Sequence, residues 1–503
     1  MISPPSPRPR PRPRLPPLLP LLALLLPAPL AGSPPGVFSV LDFGGVADGA
    51  TLNTAAFRAA VAAANAYWAA GSGPATVLAP APGVYFSGQI ALLSGVTLSV
   101  APGARLLASA NVSDYPADAW AFLYCMGATD IGVTGGGVVD GNFEAYIADY
   151  NPATVQLEAR GWPGCEGECR PRLAQLINAQ RVAVSSVTFT GSPDWTFHLL
   201  NCSYVHVTGW TQHGDERWPN NDGIDIDSSS HVLVENSTID TADDGVCIKG
   251  SAVNGSSTNV TVRNCRVRSR SSAIKYGSNC PIPMSNHLFE DIEVFDSNRA
   301  LALQARDGGL LSNIVFRRIN ITGTRLWPWK WWGDGGPIYI STMLRQPGDP
   351  SCDVQNVTFE DITAVSQNGA LLSGLAPGHT LRNVTLRRVN ITIDRLPSWN
   401  YSTGVPSVAN YSSESFGPRL EYDPTTGCIP HGSVNTSGWM SGLVAEAVEG
   451  LVLEDVNIAF NNARWQSYWG MACLNISAAG FPVQQSGGSC VPPRQPGARG
   501  GGE

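Results

Sequence analysis

The chain has 503 residues, of which 14% are charged, with 53 Gly, 39 Pro and a formal net charge of -8. So many turn formers and so few charges favour short elements joined by tight turns over long helices, which points to a β-rich protein. The modest acidic balance, with no basic run in the mature body, argues against a nucleic-acid partner.

Residues 1–33 read as a targeting segment: Arg8, Arg10, Arg12 and Arg14, then an apolar run from Leu15 to Leu26, then small residues around Ala28, Ala31 and Gly32. This predicts a secreted protein. The repeated Pro-Arg and the prolines Pro16, Pro17 and Pro20 leave a plastid address or a membrane anchor open. No later stretch reaches the roughly 20 apolar residues of a spanning helix, so no membrane association is expected after processing.

Residues 37–49 alternate and end in a tight turn, which reads as a strand and loop. Asn53 or Thr54 can then cap a helix through about Ala70, with Phe57, Val61 and Trp68 at helical spacing. Between 75 and 109, short apolar strands alternate with Pro-Gly and Ser-Gly turns. From about residue 180 a repeat takes over, whose second apolar position falls at Val184, Val207, Val234, Val262, Phe289, Phe316, Phe359, Leu386 and Leu453. A period in the twenties with strand patterning predicts an all-β solenoid, a right-handed parallel β-helix capped by the short N-terminal helix. The wider gaps before Phe359 and Leu453 are coils with long excursions. A leucine-rich repeat is excluded, because its Leu pattern is missing and no helix fits in each repeat. Residues 34–480 are expected to form one catalytic domain, and 481–503 a Cys-containing and then disordered tail.

Eleven cysteines suit an oxidising compartment, and Cys165 with Cys169 and Cys473 with Cys490 lie close in sequence. No repeated Cys-x-x-Cys or nearby His pair supports a structural zinc site. Asn-x-Ser/Thr sequons at Asn111, Asn236, Asn320, Asn356, Asn390 and Asn475 fit glycosylated surface, or a turn that recurs wherever it feeds a strand.

The stretch NNDGIDIDSSSHVLVENSTIDTADDGVCIKG (220–250) places Asp222, Asp225, Asp227, Asp240, Asp243 and Asp244 on a framework of alternating Val and Ile. Crowded carboxylates repel, so one of a tight set keeps its proton while another stays ionised, which is the condition for paired acid and base chemistry. Solvated turn aspartates are the alternative. Asp222 precedes the Asp243-Asp244 pair by slightly less than one coil, so stacking about 4.8 Å apart makes them neighbours.

These motifs, together with FSVLDFGGVADG, GGGVVDG and RPRLAQLINAQRVAVSSVTFTGSPDWTFHLL, resemble glycoside hydrolase family 28, the polygalacturonase family of pectin-degrading enzymes, over roughly residues 37–475. The resemblance implies hydrolysis with inversion, with Asp243 as general acid and Asp222 with Asp244 activating water. It implies a polysaccharide substrate, no cofactor and no metal ligands. An inverting pair leaves room for water, roughly 6.5–9.5 Å between carboxyls. A secreted monomer is expected, acting on a pectin-like or other acidic polysaccharide.

Three departures from the family pattern concern the substrate-reading residues. SSAIKYGS puts Ser272 where the family carries a histidine. LALQARDGG, with Gln304 and Arg306, replaces its Arg-Ile-Lys motif. Gly245 stands where a Cys follows the Asp pair, and Cys247 is placed to pair with Cys265. Lys275, Gln304 and Arg306 are the candidate binding residues for an acidic sugar. Trp327, Trp329, Trp331 and Trp332, beside Lys330, could stack on sugar rings or form a loop core. His198 and His213 lie on nearby coils as further candidates. Two rivals remain open: a polysaccharide lyase that uses the aspartates to bind calcium, and an inactive carbohydrate-binding β-helix. Endo or exo action depends on how the loops 142–170 and 394–440 close the cleft.

Overall fold

The computed structural model describes residues 34–491 apart from 117–118, 153–155, 162–169, 253–254, 278, 326–334, 343–349, 351, 375–380, 394–441, 462–473 and 478–482. Parallel strands stack coil on coil into a right-handed β-helix, with one sheet of 12 strands on one side and a sheet of 23 strands wrapping the others. Successive coils add strands such as Phe197–Leu200, Ile224–Asp227, Val246–Lys249 and Ser272–Tyr276 to the smaller sheet. The larger sheet extends through strands at Gln484–Ser486 and Ser489–Val491, past the boundary expected at residue 480.

The nine repeat positions read from sequence form one continuous ladder, each paired in register with the next. All nine are buried. Alternation decides this, because a one-residue slip would turn every apolar side chain outward. Within the ladder, Phe289 stacks on Phe316 at 4.8 Å and Phe316 on Phe359 at 5.0 Å between centroids. The long excursions therefore leave the register intact.

The corners need a left-handed backbone, and Asn, which tolerates it, fills one row of them. Asn286, Asn313, Asn356 and Asn383 sit at φ of 60, 55, 55 and 53°. Each of the last three donates its amide to the one before, at 3.2, 3.0 and 3.0 Å. The sequon at Asn356 is thus a rung of a corner ladder.

Helix Thr54–Ala69 buries Phe57, Ala60, Val61 and Ala64 against the first coil. It covers an apolar end beyond which, among the described residues, no further coil stacks. Asn53 holds the N-cap position without capping; its side chain instead accepts from Val46 N at 2.6 Å and donates to Phe86 O at 3.1 Å. Thr54 Oγ1 accepts from Gly88 N at 2.8 Å. Both side chains tie the helix start to the coil beside it.

Candidate active site

Along the smaller sheet, Ile and Val fill the interior while the opposite row runs outward through His198, Asp225, Cys247 and Lys275. Just before these strands the backbone bonds Thr196 N to Asp222 O at 2.8 Å, Gly223 N to Asp244 O at 2.8 Å and Gly245 N to Ser272 O at 2.9 Å. Asp222, Asp244 and Ser272 consequently stack on three successive coils. A Cβ on Gly245 would come within 2.6 Å of Ala273 O and Val267 Cγ1, and one on Gly223 within 2.4 Å of Gly245 O. Close coil packing explains why glycine, and no side chain, follows each aspartate.

Asn221, itself buried, shapes the turn that delivers the Asp pair. Its Oδ1 accepts from Thr241 Oγ1 at 2.8 Å, Ala242 N at 2.9 Å and Asp243 N at 3.2 Å. Its Nδ2 donates to Asp215 O at 3.0 Å. Buried Arg170 clamps the same segment through Pro219 O at 3.1 Å and Asn220 Oδ1 at 3.0 Å, and ties it to Pro193 O of the preceding coil at 2.7 Å. Trp218 packs beside it in a small cluster with Tyr115, Tyr146 and Leu157, so Tyr146 and Leu157 are docked onto the strand entry.

One oxygen from each of Asp222, Asp243 and Asp244 lies within 4.8 Å of the other two. Stacking on adjacent coils brings them this close, nearer than the roughly 6.5–9.5 Å expected for an inverting pair. The nearest-oxygen spacing therefore carries no argument for inversion.

Two ammonium groups enter the cluster. Lys275 Nζ lies 2.6 Å from Asp244 Oδ2, and Ser271 Oγ donates to Asp244 Oδ1 at 2.8 Å. Lys249 Nζ lies 2.7 Å from Asp225 Oδ1 and 3.3 Å from Asp222 Oδ2. Four buried carboxyls thus face two ammonium groups, leaving two carboxyls without a matching positive charge.

The proton affinities follow this count. Burial and then the Asp244 carboxylate hold Asp243 up to about 6. Burial and the Asp225 carboxylate push Asp222 well up as well, against the pull of Lys249, whose closer contact is with Asp225. Burial pulls the Lys275 ammonium down, yet the Asp244 carboxylate outweighs it and leaves it above the usual lysine range. Both lysines stay charged, and a divalent cation would have to displace them to reach Asp222 Oδ2 and Asp244 Oδ2.

The other sequence candidates fall elsewhere. His198 is 3% exposed, with Nε2 facing Asp227 at 3.2 Å and Nδ1 facing Arg172 at 2.9 Å and Gln175 at 3.1 Å. Two donors at Nδ1 put its proton on Nε2 and leave no ring nitrogen for a sugar hydroxyl. Burial lowers the imidazole and keeps it neutral. His213 is exposed on the larger sheet beside Asp240, which Arg268 grips at 2.6 Å, so Asp240 leaves the cluster. Gln304 and Arg306 are buried at the end of a later strand of the smaller sheet, Arg299–Ala305, two coils beyond the Asp243-Asp244 pair. Trp327, Trp329, Lys330, Trp331 and Trp332 lie outside the described residues, as do Cys165, Cys169 and Cys473.

The pairing of Cys247 with Cys265 is overturned: both are free. Cys247 faces outward and donates to Gly277 O at 3.1 Å, whereas Cys265 is packed in the interior and donates to Arg263 O at 3.2 Å. The sequence reading also missed Lys249, Asn221 and Arg170. A cation ending the otherwise apolar strand VCIK was the available signal for the first.

A buried carboxyl cluster flanked by two lysines thus lies on the outer face of a right-handed β-helix. The chain belongs to the glycosyl hydrolases family 28, whose family model matches residues 71–410. It is 26% identical over 382 residues to a probable polygalacturonase of Vitis vinifera, covering 70% of this chain and 74% of that protein. It is 24% identical over 348 residues to an endo-polygalacturonase of Pectobacterium carotovorum, covering 64% and 82%. Among solved structures, an exopolygalacturonase from Thermotoga maritima superposes with a TM-score of 0.62 at 21% identity, over 72% of this chain and 88% of that one. A family 28 exopolygalacturonase of Yersinia enterocolitica gives 0.62 at 18% identity, over 90% and 80%.

Proposed function

We propose that this chain is a secreted enzyme that hydrolyses pectin-like polysaccharide, polygalacturonate or rhamnogalacturonan, or another acidic polysaccharide, with inversion at the anomeric carbon. The β-helix, residues 34–480 together with the strands through Val491, acts as one catalytic domain, and the processed protein works as a monomer. The observation that carries the reading is the convergence of Asp222, Asp243 and Asp244 on adjacent coils, with Asp243 held up to about 6. Asp243 gives its proton to the glycosidic oxygen as that bond breaks. Asp222 and Asp244 take a proton from the water that attacks the anomeric carbon. Lys275, and Gln304 and Arg306 further along the sheet, supply polar and positive groups towards an acidic sugar, and Trp331 and Trp332 supply stacking faces. His198 serves by holding the Asp227 side of the strand. The polygalacturonase relatives support the substrate class, and family resemblance supports inversion.

For the lyase reading, in which an Arg or Lys abstracts the proton, a lysine base is disfavoured because Lys249 and Lys275 both face carboxylates. The test is a panel of pectic, rhamnogalacturonan and matrix glycans assayed for new reducing ends, with proton NMR of the first-formed anomer. Ultraviolet-absorbing unsaturated products that vanish with a chelator would establish the lyase instead. Carbohydrate binding without turnover on any glycan would establish the inactive reading. A first-formed anomer of unchanged configuration would overturn inversion alone.

A further inference from the structure

Lys249 ends its strand opposite Asp227 in register, and its side chain is 10% exposed. Its ammonium touches Asp225 at 2.7 Å and Asp222 at 3.3 Å, and lies 3.4 Å from the centroid of the Trp195 ring. Trp195 stands two coils back, so the lysine reaches across the Asp225 strand to be held on an aromatic face. Arg172 covers the same indole, with Cζ 4.3 Å from its centroid. A ring under two cations is not a free platform for a sugar; it is a seat for the lysine.

The charges around Asp222 are lopsided. Asp225 faces it from its own strand, and Asp243 and Asp244 from the next coil. On the coil after that, Lys275 is taken by Asp244. On the coil before, His198 is taken by Asp227, and two coils back Arg172 stands near Asp194 at 3.9 Å. Among the described residues, Lys249 is the cation that contacts the Asp222 carboxylate, at 3.3 Å.

We propose that Lys249 is a positioning residue: seated on Trp195, it aligns Asp222 and favours, against its carboxyl neighbours, the ionised form that accepts a proton from the attacking water. This rests on the glycosidase reading of the cluster. Because the ammonium is fixed by three contacts, its charge acts without reorganisation. Without it, a buried carboxyl among three others would hold its proton to higher pH.

The experiment compares wild type, Lys249→Met, Lys249→Arg and Trp195→Phe as full-length enzymes, using pH profiles of kcat and KM on polygalacturonate read by reducing ends. In Lys249→Met, the low-pH limb of kcat/KM is expected to move up by about one pH unit or more, with KM changed less than about threefold. Arg restores the limb in part, and Trp195→Phe moves it in the same direction by less. Melting temperatures of wild type and Lys249→Met across the same pH range give a second readout. Their difference is expected to grow as pH rises, because the lost ammonium matters only once the carboxyls ionise. An unmoved limb together with a pH-independent melting difference would overturn the proposal. A raised KM with an unmoved limb would overturn it in favour of direct contact between Lys249 and a sugar carboxylate. Absence of turnover by the wild type on every glycan of the panel would instead defeat the glycosidase reading, and with it this role.

Discussion

Asp243→Asn isolates the free energy invested in the proposed acid. Burial and the neighbouring Asp244 hold the Asp243 carboxyl at about 6, against an ordinary value of 3.8. A carboxyl whose folded value lies above its unfolded one takes up a proton on folding. Its contribution to stability is therefore fully present below the unfolded value and is lost as pH rises through the folded value. A difference of about two pH units corresponds to about 3 kcal/mol. Asparagine keeps the shape and can still accept the Asp244 N–H that reaches Oδ1 at 2.9 Å, but it never ionises. The variant should match the wild type near pH 3.5 and exceed it by up to about 3 kcal/mol near pH 7.5, while losing roughly 10²–10⁴ in kcat. Denaturant unfolding at both pH values, with reducing-end assays alongside, measures the two effects. A pH-independent stability difference, or a variant less stable than wild type at pH 7.5, would refute the claim that Asp243 is protonated at a cost to the ionised fold.

Asn221→Ala removes the acceptor of three donors and should destabilise by about 2–4 kcal/mol, with kcat falling more than KM rises because the carboxyls remain but lose alignment; unfolding curves and kinetics check both. Lys275→Met removes the ammonium 2.6 Å from Asp244 Oδ2 and leaves a buried carboxyl without its partner, so denaturant unfolding should show a loss of about 3–5 kcal/mol. Phe316→Ala opens a gap in the stacked Phe289, Phe316 and Phe359 and should cost about 3–5 kcal/mol without moving the pH profile, as measured by thermal melting.

Much of the fold was legible because a β-helix writes its register into the chain. Inward and outward positions alternate strictly, and each coil repeats the same choice, so aligning apolar positions from Val184 to Leu453 reproduces the observed pairing. The adjacency of Asp222 to the Asp243-Asp244 pair follows from coil length alone. What the side chains do to one another was not legible. Lys249 meets Asp222 across 27 positions, Asn221 meets Asp243 across 22 and Arg170 meets Asn220 across 50. No local pattern reports which of several possible partners a long side chain will choose. Cys247 and Cys265 illustrate the same limit, since a plausible spacing put together two thiols that the coil sends to opposite faces. Backbone periodicity in the sequence therefore determined the solenoid and where the aspartates stack. Only the tertiary structure decided which of them keep a proton, because that depends on where two ammonium groups come to rest among four buried carboxyls.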